Sequence, residues 1–232
     1  MNASETETTA SGSIRLRGIV KRFGTATANA GIDLEIAPAT IHGLIGENGA
    51  GKSTIMKILY GMFRPDEGEI WIHGEKVEAL TPQKAIAQGI GMVHQHFMLV
   101  ENLTVLDNII LGSEPRSKGL IDRKSAREKI QKIFAQMGLD LPLHKKVHSL
   151  SVGQQQIVEL VKLLYRNASV VILDEPTAVL TPNETEGLFK TLRNLRRNGK
   201  TVIIITHKLP EVMEITDRVT VLRAGKKICD LT

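Results

Sequence analysis

Five stretches of this chain are short and almost wholly apolar: residues 40–45, 90–94, 170–173, 201–206 and 219–222. Each is strand-sized, and helical periodicity fills most of the gaps between them. Residues 55–60 place apolar side chains at 55, 58 and 59, and a short helix opens at Pro82. From 103 to 166 the pattern is mostly helical. Within that block, residues 121–137 gather Ile130, Ile133, Phe134 and Met137 on one face, and Gly138 offers a C-cap. A further helix opens at Pro182 and stops at Asn198-Gly199. Apolar strands alternating with helices predict an α/β fold: a parallel sheet covered on both faces, with the helical block inserted into it.

A second rhythm runs beside the first. Residues 14–20 and 32–36 alternate apolar with polar positions, and residues 69–73 and 76–77 flank Gly74 as a hairpin would. These segments predict an antiparallel sheet next to the α/β core. One more strand is expected near residues 226–229. Residues 1–13 are polar and acidic, without an apolar centre, and read as a disordered leader rather than a signal peptide.

Composition narrows the classes. The 232 residues are 42% hydrophobic and 24% charged, ordinary values for a globular protein with a real core. The longest apolar runs fall far short of the ~20 residues that cross a bilayer. One cysteine, Cys229, excludes an internal disulfide and suits a reducing compartment. The net charge of +5 is compatible with nucleic acid, an anionic membrane surface or a polyphosphate, and decides little. Aromatic residues at 3% are too sparse for a stacking platform on single-stranded nucleic acid.

The chemistry is concentrated at strand ends. Gly46-Glu47-Asn48-Gly49-Ala50-Gly51-Lys52-Ser53-Thr54 fits G-x-x-x-x-G-K-S/T between a predicted strand and a predicted helix. Glycines let successive N–H groups turn inward on an anion, and the helix adds the positive end of its dipole. Lys52 would reach the outer phosphates and Ser53 would offer its hydroxyl to Mg²⁺. The strand at 170–173 ends in Asp174-Glu175. Ligands of parallel sheets sit beyond such ends, where one carboxylate can hold Mg²⁺ and the next can deprotonate a water. Leu150-Ser151-Val152-Gly153-Gln154 precedes an apolar helix over 157–165; Ser151 can cap it, and Gly153 permits close approach.

Taken in this order, these motifs resemble the nucleotide-binding domain of ABC transporters, over nearly the whole chain from Ile14 onward. Gly46 to Thr54 matches the Walker A loop, Leu150 to Gln154 the signature L-S-G-G-Q, and Asp174 and Glu175 the Walker B aspartate and catalytic glutamate. Gln95 falls at the Q-loop, His207 at the switch histidine, and Phe23 at the adenine-stacking aromatic. The resemblance implies a P-loop NTPase, RecA-like core with an antiparallel β subdomain (residues 14–95 and 167–232), interrupted by a helical subdomain over 96–166. It implies ATP and Mg²⁺ as cofactors, with Ser53, Gln95 and Asp174 on the metal. It also implies a head-to-tail pair with a second ABC domain, either another copy or a tandem C-terminal half. Transmembrane permease subunits, gripped in part by the stretch from Gln95 through Glu101-Asn102-Leu103-Thr104, would place the protein on the cytoplasmic face of the membrane; a solute-binding protein would act indirectly, and no nucleic acid is implied.

Three positions depart from the family. The stacking ring is Phe23 where tyrosine is commonest. Val152 replaces the first signature glycine, and Ala178-Val179-Leu180-Thr181 stands where the D-loop usually reads S-A-L-D, without its carboxylate. The stretch Met92 to Leu99 and the run Pro176 to Pro182 resemble the ATPases of simple-sugar and nucleoside importers, the nucleoside branch more closely. Those proteins carry two ABC domains, so this chain is expected to be an N-terminal half or a shorter relative. The rival class is a non-transport ABC ATPase of DNA repair or the ribosome. Such proteins carry long coiled-coil, zinc or basic insertions, and none is visible here. A regulator without turnover is opposed by Glu175. His94-Gln95-His96 offers two histidines with no third ligand nearby, which argues against a metal site there.

Overall fold

A computed structural model describes residues 13–95 and 97–232. The expected leader, apart from Ser13, and His96 lie outside them. In chain order the main elements are β1 (Ile14–Phe23), β2 (Ala26–Ile36), β3 (Ile41–Ile45), α1 (Lys52–Leu59), β4 (Glu67–Ile72), β5 (Glu75–Val77), α2 (Pro82–Ala87) and β6 (Ile90–Val93). The helical block follows with α3 (Val105–Ile110), a small hairpin of β7 (Arg116–Ser117) and β8 (Leu120–Ile121), α4 (Arg123–Met137) and α5 (Val152–Tyr165). The chain then returns through β9 (Val170–Asp174), α6 (Pro182–Arg197), β10 (Thr201–Thr206), α7 (Leu209–Ile215), β11 (Arg218–Arg223) and β12 (Lys226–Leu231).

The central sheet has the order β12-β11-β3-β10-β9-β6. Every neighbouring pair is parallel except β11–β12. Its apolar strands feed two cores at once. Val171, Leu173, Val202 and Ile204 pack with α3 to α6, whereas Val170, Ile172, Ile203 and Ile205 pack with α1 and the antiparallel sheet. That alternation explains why these strands carry no polar face: both sides are covered. The antiparallel sheet has the order β2-β1-β4-β5, as the period-2 segments foretold.

Two expectations needed revision. The amphipathic pattern from residue 121 starts a helix only at Arg123, because Asp122 accepts from the Ser125 amide and caps it there. Leu120 and Ile121 instead form an exposed strand of the small hairpin, so they never join the buried stripe of α4. The β-strand expected over 32–36 extends back to Ala26, where its residues pair with the far end of β1 across register shifts. The bulged region mixes small and polar residues, which hides the alternation.

Candidate functional site

Because β3, β10, β9 and β6 run parallel, their C-terminal ends share one edge of the sheet. The phosphate loop follows β3, His207 follows β10, Glu175 follows β9, and Gln95 lies two residues beyond β6. Topology thus brings four of the predicted motifs into one row.

The loop itself is shaped by close approach. A Cβ at Gly46 would lie 2.2 Å from the Leu222 carbonyl oxygen, and one at Gly51 would lie 2.4 Å from that of Ala28. Gly51 also has φ +95°, a left-handed conformation that L side chains disfavour. It begins α1 with no side-chain cap among the described residues, which leaves the first amides of the helix without a capping side chain. Glu47, Asn48 and Gly49 are exposed at the tip, Ala50 and Lys52 are buried, and Ser53 and Thr54 are half-buried. Lys52 turns back over the loop, its Nζ donating to the carbonyls of Gly46 at 2.7 Å and Glu47 at 2.9 Å. Burial holds its pKa below the ordinary lysine value, while Glu175 and Asp174 push the other way.

Ser53 Oγ donates to Asp174 Oδ1 at 3.2 Å, linking the loop to the end of β9. Burial raises the pKa of Asp174; the Ser53 hydrogen bond opposes this and the Glu175 charge adds to it. A desolvated carboxylate with one hydroxyl partner gains from a nearby dication, and the all-oxygen pair suits a hard ion such as Mg²⁺. Next in the chain, Glu175 has φ +49°, rare for a residue with a side chain. Its amide donates to the Ile205 carbonyl at 2.9 Å, and its Oε1 lies 3.1 Å from Nδ1 of the exposed His207. Gln95 is exposed, and Phe23 is 45% exposed at the tip of β1. The Phe23 ring meets Phe63 edge-on at 5.3 Å, and Lys57 of α1 lies over Phe63 at 5.9 Å, tying the aromatic to the loop's helix.

The signature residues are not part of this row. Ser151 caps α5 in a reciprocal box with Gln154. Their remaining partner is Glu184 of α6, whose Oε1 accepts from Ser151 Oγ at 2.8 Å and from the Gly153 amide at 3.1 Å. Within the chain, therefore, the phosphate loop and the signature helix make separate constellations.

Several supporting residues escaped the sequence reading. Asn29, fully buried, donates to the Gly51 carbonyl at 3.2 Å, and the Gly225 amide donates to the Ala50 carbonyl at 3.2 Å. Lys208 Nζ reaches the Thr177 carbonyl and hydroxyl at 3.0 and 3.2 Å, while Thr177 Oγ1 donates to Glu211 at 2.6 Å. These contacts anchor the segment between β9 and α6. One further contact carries a local sequence pattern: Thr181-x-x-Glu184 is a capping box.

The same architecture occurs in solved ABC cassettes. One in its ADP conformation aligns with a TM-score of 0.83 at 27% identity, covering 94% of this chain and 89% of that one. A dimeric cassette in a post-hydrolysis state bound to ADP and Pi aligns at 0.79 and 26% identity, covering 94% and 98%. Among curated proteins, the nucleoside import ATP-binding protein NupA of Lactococcus lactis subsp. cremoris is 49% identical over 216 residues, and the guanosine import ATP-binding protein NupO of Bacillus subtilis is 52% identical over 215. Each alignment covers 93% of this chain, which spans 42% of the relative's length. The family model described as ABC transporter matches residues 30–178, the stretch holding the loop, the signature and both strand-end carboxylates, and the chain belongs to that family.

Proposed function

We propose that this chain is the ATP-binding and ATP-hydrolysing unit of an importer for nucleosides or simple sugars. The observation that carries the reading is the row of loop, Ser53–Asp174 and Glu175–His207 along one sheet edge. The import relatives favour transport over DNA repair or ribosomal work. The core and β subdomain comprise residues 14–95 and 167–232, and residues 96–166 form the helical subdomain.

The amides of Gly46 to Thr54 and the Lys52 ammonium hold the phosphates, and Phe23 stacks on the adenine. To do so, Lys52 exchanges the carbonyls of Gly46 and Glu47 for phosphate oxygens. Ser53, Asp174 and Gln95 hold Mg²⁺, which supplies positive charge to the phosphate oxygens. Glu175 accepts the proton of the attacking water, and His207, fixed against Oε1, holds that carboxylate in place near the γ-phosphate. Ser151, Gly153 and Gln154 act on the ATP of a second ABC domain, which explains why they lie apart from the loop in their own chain. That domain is another copy or a tandem C-terminal half. Permease subunits, contacted in part through the stretch from Gln95 to Thr104, carry the solute, and a solute-binding protein acts indirectly. The protein works at the cytoplasmic face of the membrane without nucleic acid.

The test is Glu175→Gln. ATP turnover drops by about a hundredfold or more, the scale of a lost general base, while ATP-held dimers accumulate in sedimentation. Normal turnover by this variant would remove Glu175 from the mechanism.

A further inference from the structure

Glu184 lies where the signature helix would receive a phosphate. One of its oxygens, Oε1, takes hydrogen bonds from Ser151 Oγ and the Gly153 amide at the start of α5. The other, Oε2, takes them from the Thr181 amide at 3.1 Å and the Thr181 hydroxyl at 3.0 Å at the start of α6. The carboxylate therefore joins two helix N-termini, one oxygen to each. We propose that Glu184 is an internal stand-in for the γ-phosphate: it occupies the signature's donors until an ATP-bearing partner domain displaces it, and so gates nucleotide-driven pairing.

The reasoning is electrostatic and steric. Both Glu184 and a γ-phosphate are anions drawn to the same donors at the positive end of α5. Two anions cannot share one hydroxyl and one amide at hydrogen-bond distance. Donors already satisfied by a carboxylate must be vacated first, which raises the nucleotide occupancy needed for pairing. The fit to Glu184 is close. A Cβ at residue 153 would come within 2.8 Å of the Glu184 carboxylate, whereas Val152 is 38% exposed. The four donors also keep the Glu184 carboxyl ionised, with its pKa lowered to about 2 through Ser151 first, then Thr181 and Gly153.

Displacement has a second effect. Oε1 and Oε2 sit on one planar group, so a shift of Oε1 off Ser151 moves Oε2 relative to the Thr181 box. Thr181 is the last residue of the 178–181 segment that departs from S-A-L-D. Glu184 thereby carries the arrival of phosphate at the signature to the start of α6, a link made within one chain.

This proposal rests on the ATP-sandwich reading above, and the experiment separates the two. Dimer formation is followed by sedimentation against ATP concentration for the full chain carrying Glu175→Gln, with and without Glu184→Gln. Glutamine keeps the third-position partner of the Thr181 box but carries no charge. With the gate weakened, the half-point shifts to about tenfold lower ATP, the scale of one charge-assisted hydrogen bond, and nucleotide binding to the monomer stays the same. A mere brace would act in the opposite sense, since its loss would weaken pairing and lower the melting temperature. If the two curves coincide, or the double variant pairs less readily, the gate is refuted while the sandwich stands. If Glu175→Gln alone never pairs with ATP, both fall together. A parallel series with Glu184→Ala checks the result should glutamine fail to fold: a leftward shift there sustains the gate, and none overturns it.

Discussion

The N-terminus of α1 is finished by a glycine with no side chain, whereas that of α5 is filled by the carboxylate of another helix. Both termini present amides and a positive dipole end, the ordinary ingredients of an anion site. At α1 no side chain among the described residues caps the helix, and Lys52 is stored on the loop's own carbonyls. At α5 the donors are already satisfied by Glu184. On the functional reading proposed above, the difference separates two ways of keeping an anion site ready: a rigid backbone shell at α1, and at α5 a site closed by an internal anion that must leave.

The contrast is sharpest at the two glycines. At Gly51, an added Cβ would meet the Ala28 carbonyl and the Asn29 side-chain nitrogen, at 2.4 and 2.5 Å, in a left-handed backbone. None of these can move cheaply, because Ala28 and Asn29 belong to β2 and Asn29 is fully buried. Gly51→Ala should therefore destabilise the fold by about 3 kcal/mol or more, combining backbone strain with displacement of a packed strand. Urea unfolding of the nucleotide-free protein measures it. A loss below ~1 kcal/mol would mean that the loop is not the rigid shell described.

How much of this was readable beforehand follows from how local each signal is. The loop, the strand-end carboxylates and the buried strands were legible because each is written in consecutive residues. Asp174-Glu175 closing an apolar run needs no partner elsewhere in the chain to be recognised. The cap of α5 by Ser151 was legible for the same reason. By contrast, the Glu184 bridge pairs residues 33 apart, and the Asn29–Gly51 contact pairs residues 22 apart. Nothing in the local pattern around Asn29 distinguishes it from an ordinary polar strand residue. The left-handed backbone of Glu175 was likewise hidden, since it arises from the tether of its amide to the neighbouring strand. The small hairpin was missed because four strand residues are too few for a period to declare itself.

Acid should separate the two constellations. His42 lies on β3, the strand that leads into the phosphate loop, and is 2% exposed. Its Nε2 donates to Thr220 Oγ1 at 2.9 Å, and that hydroxyl donates to Asp230 at 2.6 Å. Burial lowers the His42 pKa to about 4, with Asp230 opposing and Arg218 and Lys227 assisting. The unfolded chain takes up this proton near 6.5, the folded chain only near 4. Stability from His42 is thus complete above pH 6.5 and falls as pH drops through that window, by about 3 kcal/mol in all. Glu184 behaves differently: its contribution holds above pH 4.5 and is lost only as pH falls toward 2. Denaturant curves at pH 7 and pH 4 should show His42→Gln losing about 3 kcal/mol less than the parent across that interval. Parallel losses in the two proteins would place the acid sensitivity elsewhere.

The smallest effect is expected at Gly153, the counterpart of Gly51 on α5. A Cβ added there would meet only Glu184 atoms, at 2.8 to 2.9 Å, and those belong to the end of a flexible side chain that is half-buried. Glu184 can swing aside and keep its charge in water. Residue 153 is in the first turn of a regular helix, where alanine is favoured over glycine by up to about 1 kcal/mol. The lost hydrogen bonds and the gained helix propensity are of similar size and opposite sign. Gly153→Ala should consequently change stability by less than ~1 kcal/mol in the urea titration applied to Gly51→Ala. Equal losses at the two glycines would erase the distinction between a rigid terminus and a yielding one, because α5 would then be closed by its backbone rather than by Glu184.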